Sequence, residues 1–198
     1  MKRISLFIIL LLSVMAAEAQ VINDTNFKSY EFEVGMGLAM GTNFGYQGSE
    51  PGLQFYVESR NNLKDTPWDI GFQVAMGVFS RRHESGSVYS NNKLSTITFV
   101  DYNFRCWKWV APFVGAGLGM AMLDLDVPYI NDTDGWSTYN THSCGIALNP
   151  RVGVEFFDHL RLTVEYKAFV RRVVDAGGAM NNYFGVNLGF AFGGGRRK

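Results

Sequence analysis

The amino-acid sequence predicts an all-β fold, an eight-stranded antiparallel up-and-down transmembrane β-barrel. Three observations carry this prediction. Apolar residues alternate with small or polar residues in eight segments, which is the period of a β-strand. The connections between these segments alternate between short and long. The chain is 47% hydrophobic and 15% aromatic but only 18% charged, which excludes a disordered protein.

The N-terminal segment has the pattern of a secretory signal peptide. Lys2 and Arg3 precede an apolar run over residues 4–16, and Ala17-Glu18-Ala19 provides the small residues of a cleavage site. The apolar run is too short for a spanning helix, which needs about 20 residues. We therefore divide the chain into a signal peptide at 1–19, a barrel at 20–192 and a short basic tail at 193–198.

The first three predicted strands show the alternation clearly. In Glu31–Met40, large apolar residues share one parity, and Glu, Gly and Ala share the other. Leu53–Val57 is a short version of the same pattern, and Trp68–Val78 is a long one. In a strand, these two sets of side chains face opposite sides of the sheet.

The next three predicted strands are less uniform. Leu94–Phe104 has the weakest pattern, because Ile97 and Phe99 fall on the parity otherwise held by polar residues. Val110–Met122 has three glycines on its second face, and Ile146–Phe156 has polar residues there. We expect all three to be strands, with the fourth the least regular.

The last two predicted strands are Leu160–Val170 and Phe184–Phe192, both with strict alternation. Two prolines oppose the barrel, because a closed sheet has no edge at which a missing N–H is harmless. Pro112 lies near a strand end, whereas Pro150 lies inside a strand and must mark a bulge or a lost hydrogen bond.

The lengths of the connections distinguish the two ends of the predicted barrel. The short ones are Ser59–Thr66, Arg105–Trp109 and Phe157–His159, and the long ones are Gly41–Glu50, Phe79–Asn92, Leu123–His142 and Arg171–Asn181. Short turns at one end and long loops at the other are typical of bacterial outer-membrane barrels. Trp68, Trp107 and Trp109 fall at the short-turn end, where tryptophan favours the membrane interface.

The second face of the strands decides between a soluble and a membrane protein. That face is largely Gly and Ala with isolated charges, which suits the narrow interior of an eight-stranded barrel better than a solvent-exposed surface. The inward-facing charges of the predicted network are Glu31, Glu33, Asp69, Asp101, Arg151, Glu155, Arg161, Glu165 and Lys167. We interpret them as a salt-bridge network that fills a solid lumen, in preference to an ion path or an acid–base site.

The chain resembles the small eight-stranded outer-membrane β-barrel families, the OmpX-like and opacity-like proteins, over Tyr30–Phe192. The last strand, Asn187-Leu188-Gly189-Phe190-Ala191-Phe192, looks like the signal read by the barrel-assembly machinery. The resemblance implies a place in the outer membrane of a Gram-negative cell. It assigns the assembly signal to Asn187, Gly189, Phe190 and Phe192.

We expect no catalytic residues, no cofactor and no metal. His142 and Ser143 are neighbours and point to opposite faces of a strand, so a Ser–His–acid hydrolase with Glu155 lacks the needed geometry. His142 and Cys144 share a face but have no third member nearby in the sequence pattern. The acidic positions Asp124, Asp126, Asp132 and Asp134 lack calcium-loop spacing.

The sequence therefore predicts a monomeric, non-enzymatic scaffold that displays extracellular loops in surface interaction or envelope integrity. The rivals are an enzyme acting on lipid A acyl chains and a soluble secreted β protein. Expected partners are outer-membrane lipid and lipopolysaccharide, with Arg82 and Arg172 on its phosphates, and the assembly machinery. The zero net charge argues against nucleic acid.

Overall fold

The structure is a computed structural model that describes residues 29–42, 51–63, 66–82, 88–104, 107, 109–131, 135–169 and 182–193. Its strands are β1 Tyr30–Thr42, β2 Pro51–Asn62, β3 Trp68–Arg82, β4 Val88–Asn103, β5 Val110–Asn131, β6 Gly135–Phe156, β7 Leu160–Phe169 and β8 Asn182–Phe192. Each strand pairs antiparallel with the next, and β8 pairs with β1. This closed barrel confirms the predicted fold class. Residues 1–19 and 194–198, and with them the predicted signal peptide and nearly all of the tail, lie outside the described residues.

One end of the barrel carries the short connections and both described chain ends, and we call it the short-turn end. The tightest of its turns joins β6 to β7 at Phe157 and Asp158, whose φ angles are 55° and 61°. The N–H of His159 donates to the carbonyl of Phe156 at 3.1 Å. Two successive positive φ angles match the twist of a tight hairpin, at a steric cost to these non-glycine residues.

The exterior of the barrel is apolar over its whole circumference. Its large side chains are exposed, with Leu38 66%, Met120 59% and Leu188 50% accessible. The opposite parity, which carries the small and charged residues, is buried inside. A continuous apolar exterior of this size is suited to hydrocarbon, where a closed barrel satisfies its own backbone groups. Among the described residues, no helix is long and apolar enough to cross a bilayer.

Several strands are longer than the sequence pattern predicted. β5 and β6 each have 22 residues, so the predicted connection Leu123–His142 is wrong: the hairpin continues to Asn131 and resumes at Gly135. The pattern ended early because Asp, Asn, Thr and Pro replace the large apolar residues there, although cross-strand pairing persists. Likewise β3 extends to Arg82, and β4 begins at Val88.

The outer part of the β5–β6 hairpin extends beyond its neighbours in the sheet. Pairing of β5 with β4 is recorded up to Leu125, and pairing of β6 with β7 begins at Ala147. We call residues 126–131 and 135–140 the distal hairpin. A membrane-crossing strand needs about 9–11 residues, so 22 residues exceed the thickness of a bilayer.

Pro150 interrupts the sheet locally without shifting it. Leu148 pairs with Ala168 and Arg151 pairs with Glu165, which is the same register on both sides of the proline. No pairing with β7 is recorded for residues 149 and 150. The predicted strand Ile146–Phe156 therefore lies within β6, and Pro150 leaves a gap in the pairing with β7 without forming a bulge.

Candidate functional site

The lumen is the best-defined candidate site, because it collects most of the charged side chains of the described residues. Its walls alternate small residues with large polar ones, as the second parity of each strand predicts. Fully buried side chains there include some of the longest in the chain, among them Arg60, Lys93, Arg161 and Lys167. The narrow barrel holds them in three groups, described from the short-turn end outward.

Arg60 is the centre of the first group. Its guanidinium lies 2.8 Å from Glu31 and 3.0 Å from Glu33, and 3.7 Å from both Glu58 and Glu155. Arg60 is only 1% exposed, and the Glu155 side chain is 14% exposed. Four carboxylates around one guanidinium compensate the burial of that cation, since buried charges are tolerated only when paired.

Two further arginines form the second group, at the middle of the barrel. Arg151 donates twice to Glu58, at 2.9 Å each, and once to Asp101 at 3.0 Å. Arg161 also donates to Asp101, at 2.5 Å. The fork of Arg151 matches the carboxylate of Glu58 in two parallel bonds, which is the strongest geometry for such a pair.

Aromatic rings complete this second group and explain the weak alternation of β4. The guanidinium carbon of Arg151 lies 3.9 Å from the centroid of Phe99, and that of Arg161 lies 3.5 Å from the centroid of Phe113. Ile97 and Phe99 are fully buried in the lumen. Phe99 interrupts the polar parity because its ring packs against the Arg151 guanidinium, and Ile97 does so as part of a buried apolar cluster.

The third group surrounds Glu165. Its carboxylate accepts hydrogen bonds from Gln54 at 2.5 Å, Asn149 at 3.0 Å and Asn187 at 2.9 Å. The ammonium of Lys167 lies 3.4 Å away. Amide and ammonium donors therefore occupy both oxygens of the buried carboxylate, which removes the penalty for an unsatisfied charge.

Beyond Glu165 the lumen turns apolar toward the end that carries the long connections. Lys93 lies over the ring of Phe79 at 4.0 Å and over that of Tyr183 at 5.4 Å. A buried apolar cluster begins beside the second group at Phe99 and extends to this level; its members are Ala39, Phe79, Ile97, Phe99, Ala121, Leu123, Ala147, Phe169 and Tyr183. Buried charged groups therefore line most of the lumen, and this cluster lines the part toward the long connections together with Lys93.

The structure places all nine residues of the predicted network on the inward-facing parity of their strands. Asp69 is among them and accepts a hydrogen bond from the Asn103 amide. The sequence pattern missed Arg60 and Lys93, because it assigned Arg60 to a turn and began the fourth strand at Leu94, one residue after Lys93. Extending the strand parity by a few residues would have placed both in the lumen.

The four residues predicted as an assembly signal divide between two faces. Asn187 binds Glu165, and Gly189 is packed so closely against the Glu33 carboxylate that a Cβ would collide with it. Phe190 and Phe192 are exposed on the exterior, with ring centroids 5.0 Å apart. Recognition by the assembly machinery stays a prediction.

The other predicted positions are only partly described. Arg82 is the last residue of β3 and pairs with Val88, while Arg172 and Cys106 lie outside the described residues. Cys144 lies on β6 and is exposed. Within the side chains that the structure describes, no group of three or more His, Cys, Asp or Glu residues could hold a metal ion.

Comparison with known proteins places the fold. No family model and no curated protein matches the chain. Neisserial surface protein A is a structural match with a TM-score of 0.61 at 15% identity, covering 84% of this chain and 98% of that one. Ail of Yersinia pestis, solved with the heparin analogue sucrose octasulfate, has a TM-score of 0.48 at 11% identity over 83% of this chain and 99% of its own. The outer membrane enzyme PagL has a TM-score of 0.48 at 11% identity, covering 81% of this chain and 98% of its own.

The chain is thus a small eight-stranded barrel of the outer-membrane type. Its closed sheet leaves no backbone edge, and its exterior is apolar all round. Those two properties require a lipid surrounding, and the fold is that of the bacterial outer membrane. The fold and the apolar exterior are therefore those of an outer-membrane barrel and not those of a soluble secreted β protein.

Proposed function

We propose that this protein is a non-enzymatic outer-membrane scaffold that holds its long connections at the cell surface. The observation that carries the proposal is the filled lumen. Arg60, Arg151 and Arg161 with their carboxylates occupy the middle of the barrel, and the Phe79 cluster occupies the level above it. A barrel filled in this way leaves the connections as the parts able to meet a partner.

The distal hairpin supports the same proposal. Outer-membrane barrels have short periplasmic turns and longer extracellular loops, so the short-turn end belongs in the periplasm. That orientation places the distal hairpin outside the cell, beyond the apolar band. A strand pair that projects from a rigid sheet is a pre-organised surface for recognition, since little ordering entropy is lost on binding.

The orientation is tested by inserting an epitope at positions 132–134 and, in a matched control, after Gly193. Intact cells should bind antibody against the first epitope only, and permeabilised cells should bind both. Labelling of the Gly193 epitope alone in intact cells would reverse the proposed orientation.

The absence of enzyme activity is tested on the lipid itself. Lipid A from cells with and without the protein is compared by mass spectrometry, and the purified barrel is incubated with lipopolysaccharide. The proposal expects identical acyl chains in both comparisons. Loss of an acyl chain that depends on the protein would replace the scaffold by a lipid A-modifying enzyme.

We further propose that Arg82 and Arg172 contact lipopolysaccharide phosphates. Arg82 ends β3 at the long-connection end, and the sequence pattern places Arg172 at the same end. Guanidinium groups bind phosphate oxygens in a bidentate way. Added lipopolysaccharide should raise the melting temperature of the wild type, and Arg82→Ala with Arg172→Ala should remove most of that gain. The control substitutes Arg196 and Arg197 of the tail, and an equal gain in all three proteins would refute the contact.

The expected assembly route and oligomeric state are proposals of the same kind. Phe190 and Phe192 present exposed rings on the last strand, which suits recognition by the barrel-assembly machinery. Phe192→Ala should slow insertion in cells and leave the stability of the refolded barrel nearly unchanged. Light scattering in detergent should give the mass of a monomer.

A further inference from the structure

One inward-facing glycine of β8, Gly185, borders a recess in the third group of the lumen. An added Cβ at Gly185 would lie 3.3 Å from Cγ of Glu165, 3.4 Å from Nδ2 of Asn187 and 3.5 Å from Oε1 of Gln54. Contacts of that length need a shift of no more than a few tenths of an ångström. The recess beside Gly185 therefore has room for one group the size of a methyl.

Gly185 differs in this respect from other inward-facing glycines of the sheet. At Gly37, Gly71 and Gly189, an added Cβ would collide with a neighbouring side chain or with the backbone of the adjacent strand. Close packing against protein atoms explains glycine at those three positions, because glycine otherwise weakens a strand. At Gly185 the described protein atoms leave space, so the absence of a side chain there calls for another occupant.

A buried polar atom without a partner borders the same recess. The Nε2 of Gln54 donates to Glu165 at 2.5 Å, which fixes the amide with its Oε1 turned away from the carboxylate. Within the part of the chain that the structure describes, no group donates a hydrogen bond to this Oε1. Gln54 is 0% exposed, so the oxygen is also shielded from bulk solvent. Buried polar atoms in folded proteins almost always have a partner, which is often an ordered water molecule.

We propose that the recess beside Gly185 binds one ordered water molecule. This water donates a hydrogen bond to Oε1 of Gln54 and accepts one from Nδ2 of Asn187. The Asn187 amide donates to Glu165 at 2.9 Å through one hydrogen and has a second hydrogen for the water. Two polar partners are the minimum that holds a water inside a protein.

The charges around the recess favour a neutral ligand over a cation. The ammonium of Lys167 lies 3.4 Å from Glu165 and balances its charge. The recess itself offers one acceptor, on Gln54, and one donor, on Asn187. A molecule that both donates and accepts fits this pair, whereas a hard cation requires oxygen ligands alone. The water is enclosed by buried residues, so the site is independent of the proposed scaffold role and opens no path through the lumen.

The sign of one stability change tests the proposal. In an empty recess, Gly185→Ala would fill space and restrict the unfolded chain, so it would raise the urea concentration at the unfolding midpoint. In an occupied recess, the new methyl group displaces the water and leaves Oε1 of Gln54 buried without a donor. We therefore expect Gly185→Ala to lower the urea midpoint of the full mature barrel in lipid vesicles.

A second background provides the matched control. Gln54→Met removes the amide oxygen that needs the water, at the cost of one hydrogen bond to Glu165. In that background Gly185→Ala should leave the urea midpoint unchanged or raise it, so the two changes should not be additive. The heat-dependent mobility of each variant on gels shows that its barrel is folded.

A crystal structure of the barrel tests the site directly and does not depend on the stability of any variant. We expect a density peak beside Gly185 at about 2.7–3.2 Å from both Oε1 of Gln54 and Nδ2 of Asn187, and its loss in Gly185→Ala. Three results would overturn the proposal: a higher urea midpoint for Gly185→Ala, an equal loss in the parent and Gln54→Met backgrounds, or a recess without density. A peak at about 2.3–2.6 Å from its ligands would also overturn it, because those distances belong to a bound cation.

Discussion

Replacing Arg151 by methionine should destabilise the barrel more than almost any other single change in the lumen. The side chain of Arg151 is buried, donates two bonds to Glu58 at 2.9 Å and one to Asp101 at 3.0 Å, and lies over Phe99. Methionine retains much of the side-chain volume, so the loss of stability reports mainly the removal of the positive charge. The buried carboxylates then lose their main cation.

The magnitude follows from what remains after the substitution. Breaking a buried ion pair by removing one partner costs about 3–5 kcal/mol. Asp101 keeps Arg161 at 2.5 Å, but Glu58 keeps only Gln73 at 3.2 Å and two guanidiniums at 3.7 and 3.9 Å. We therefore expect a loss of about 3 kcal/mol in the free energy of unfolding, the low end of that range.

The measurement is urea unfolding of the barrel in lipid vesicles, followed by the fluorescence of its tryptophans. Val152→Met, a neighbouring change on the exterior, is the control and should be nearly neutral. Adding Glu58→Gln to Arg151→Met should recover about 1–2 kcal/mol, because the carboxylate left without its cation is then neutral. A loss below about 0.5 kcal/mol for Arg151→Met alone would refute the network as a source of stability.

Three further predictions concern the exterior, the packing and the topology. Leu188→Arg should cost about 2–4 kcal/mol in vesicles because the side chain faces lipid, and unfolding at wild-type urea concentrations would mean that the faces are inverted. Gly189→Val should cost about 1–3 kcal/mol, since the added atoms meet the Glu33 carboxylate, and a neutral result in the same assay would contradict the packing there. Cys106 and Cys144 should not form an intramolecular disulfide, because Asn103, three residues before Cys106, pairs with Phe113, whereas Cys144 pairs with Met122 much further along β5, and a bridge spans only ~7 Å. A gain of two hydrogens on reduction, seen by mass spectrometry, would contradict that topology.

The sequence was a good guide wherever a physical period dominated. The period of two in β1, β3 and β8 determines which side of the sheet each residue faces. The structure confirms both faces: Val34, for example, is exposed on the exterior, and Asn187 is buried in the lumen. Because strands joined by hairpins pair with each other, the order of the strands in the sheet follows their order in the chain. The closed barrel and the inward position of its charged residues followed from those two properties.

The sequence was a poor guide where a residue's role depends on partners in other strands. Arg60 was assigned to a turn, yet it is the cation shared by four carboxylates from three other positions in the sheet and one on its own strand. Phe99 weakened the pattern of β4, although it packs against Arg151 of β6. Such pairings depend on the stagger of the whole barrel, which no single segment encodes.

The outer part of the β5–β6 hairpin shows a different limit. In β5 the parity that carries Met120 and Met122 continues with Asp124 and Asp126, so the alternation that identifies a membrane strand ends there. The backbone pairing continues regardless, to Asn131 and Gly135. Opposite positions such as Asp124 and His142 become visible only once that register is known.

The filled lumen is tested most directly by ion conductance. The purified barrel is reconstituted into a planar bilayer, and currents are recorded under an applied voltage at high salt, with a known porin as the positive control. A lumen occupied by the Arg60 and Arg151 networks and the Phe79 cluster should give no stepwise currents above those of the bare bilayer. Reproducible open-channel steps from the wild-type protein would show a continuous aqueous path and would contradict the filled barrel.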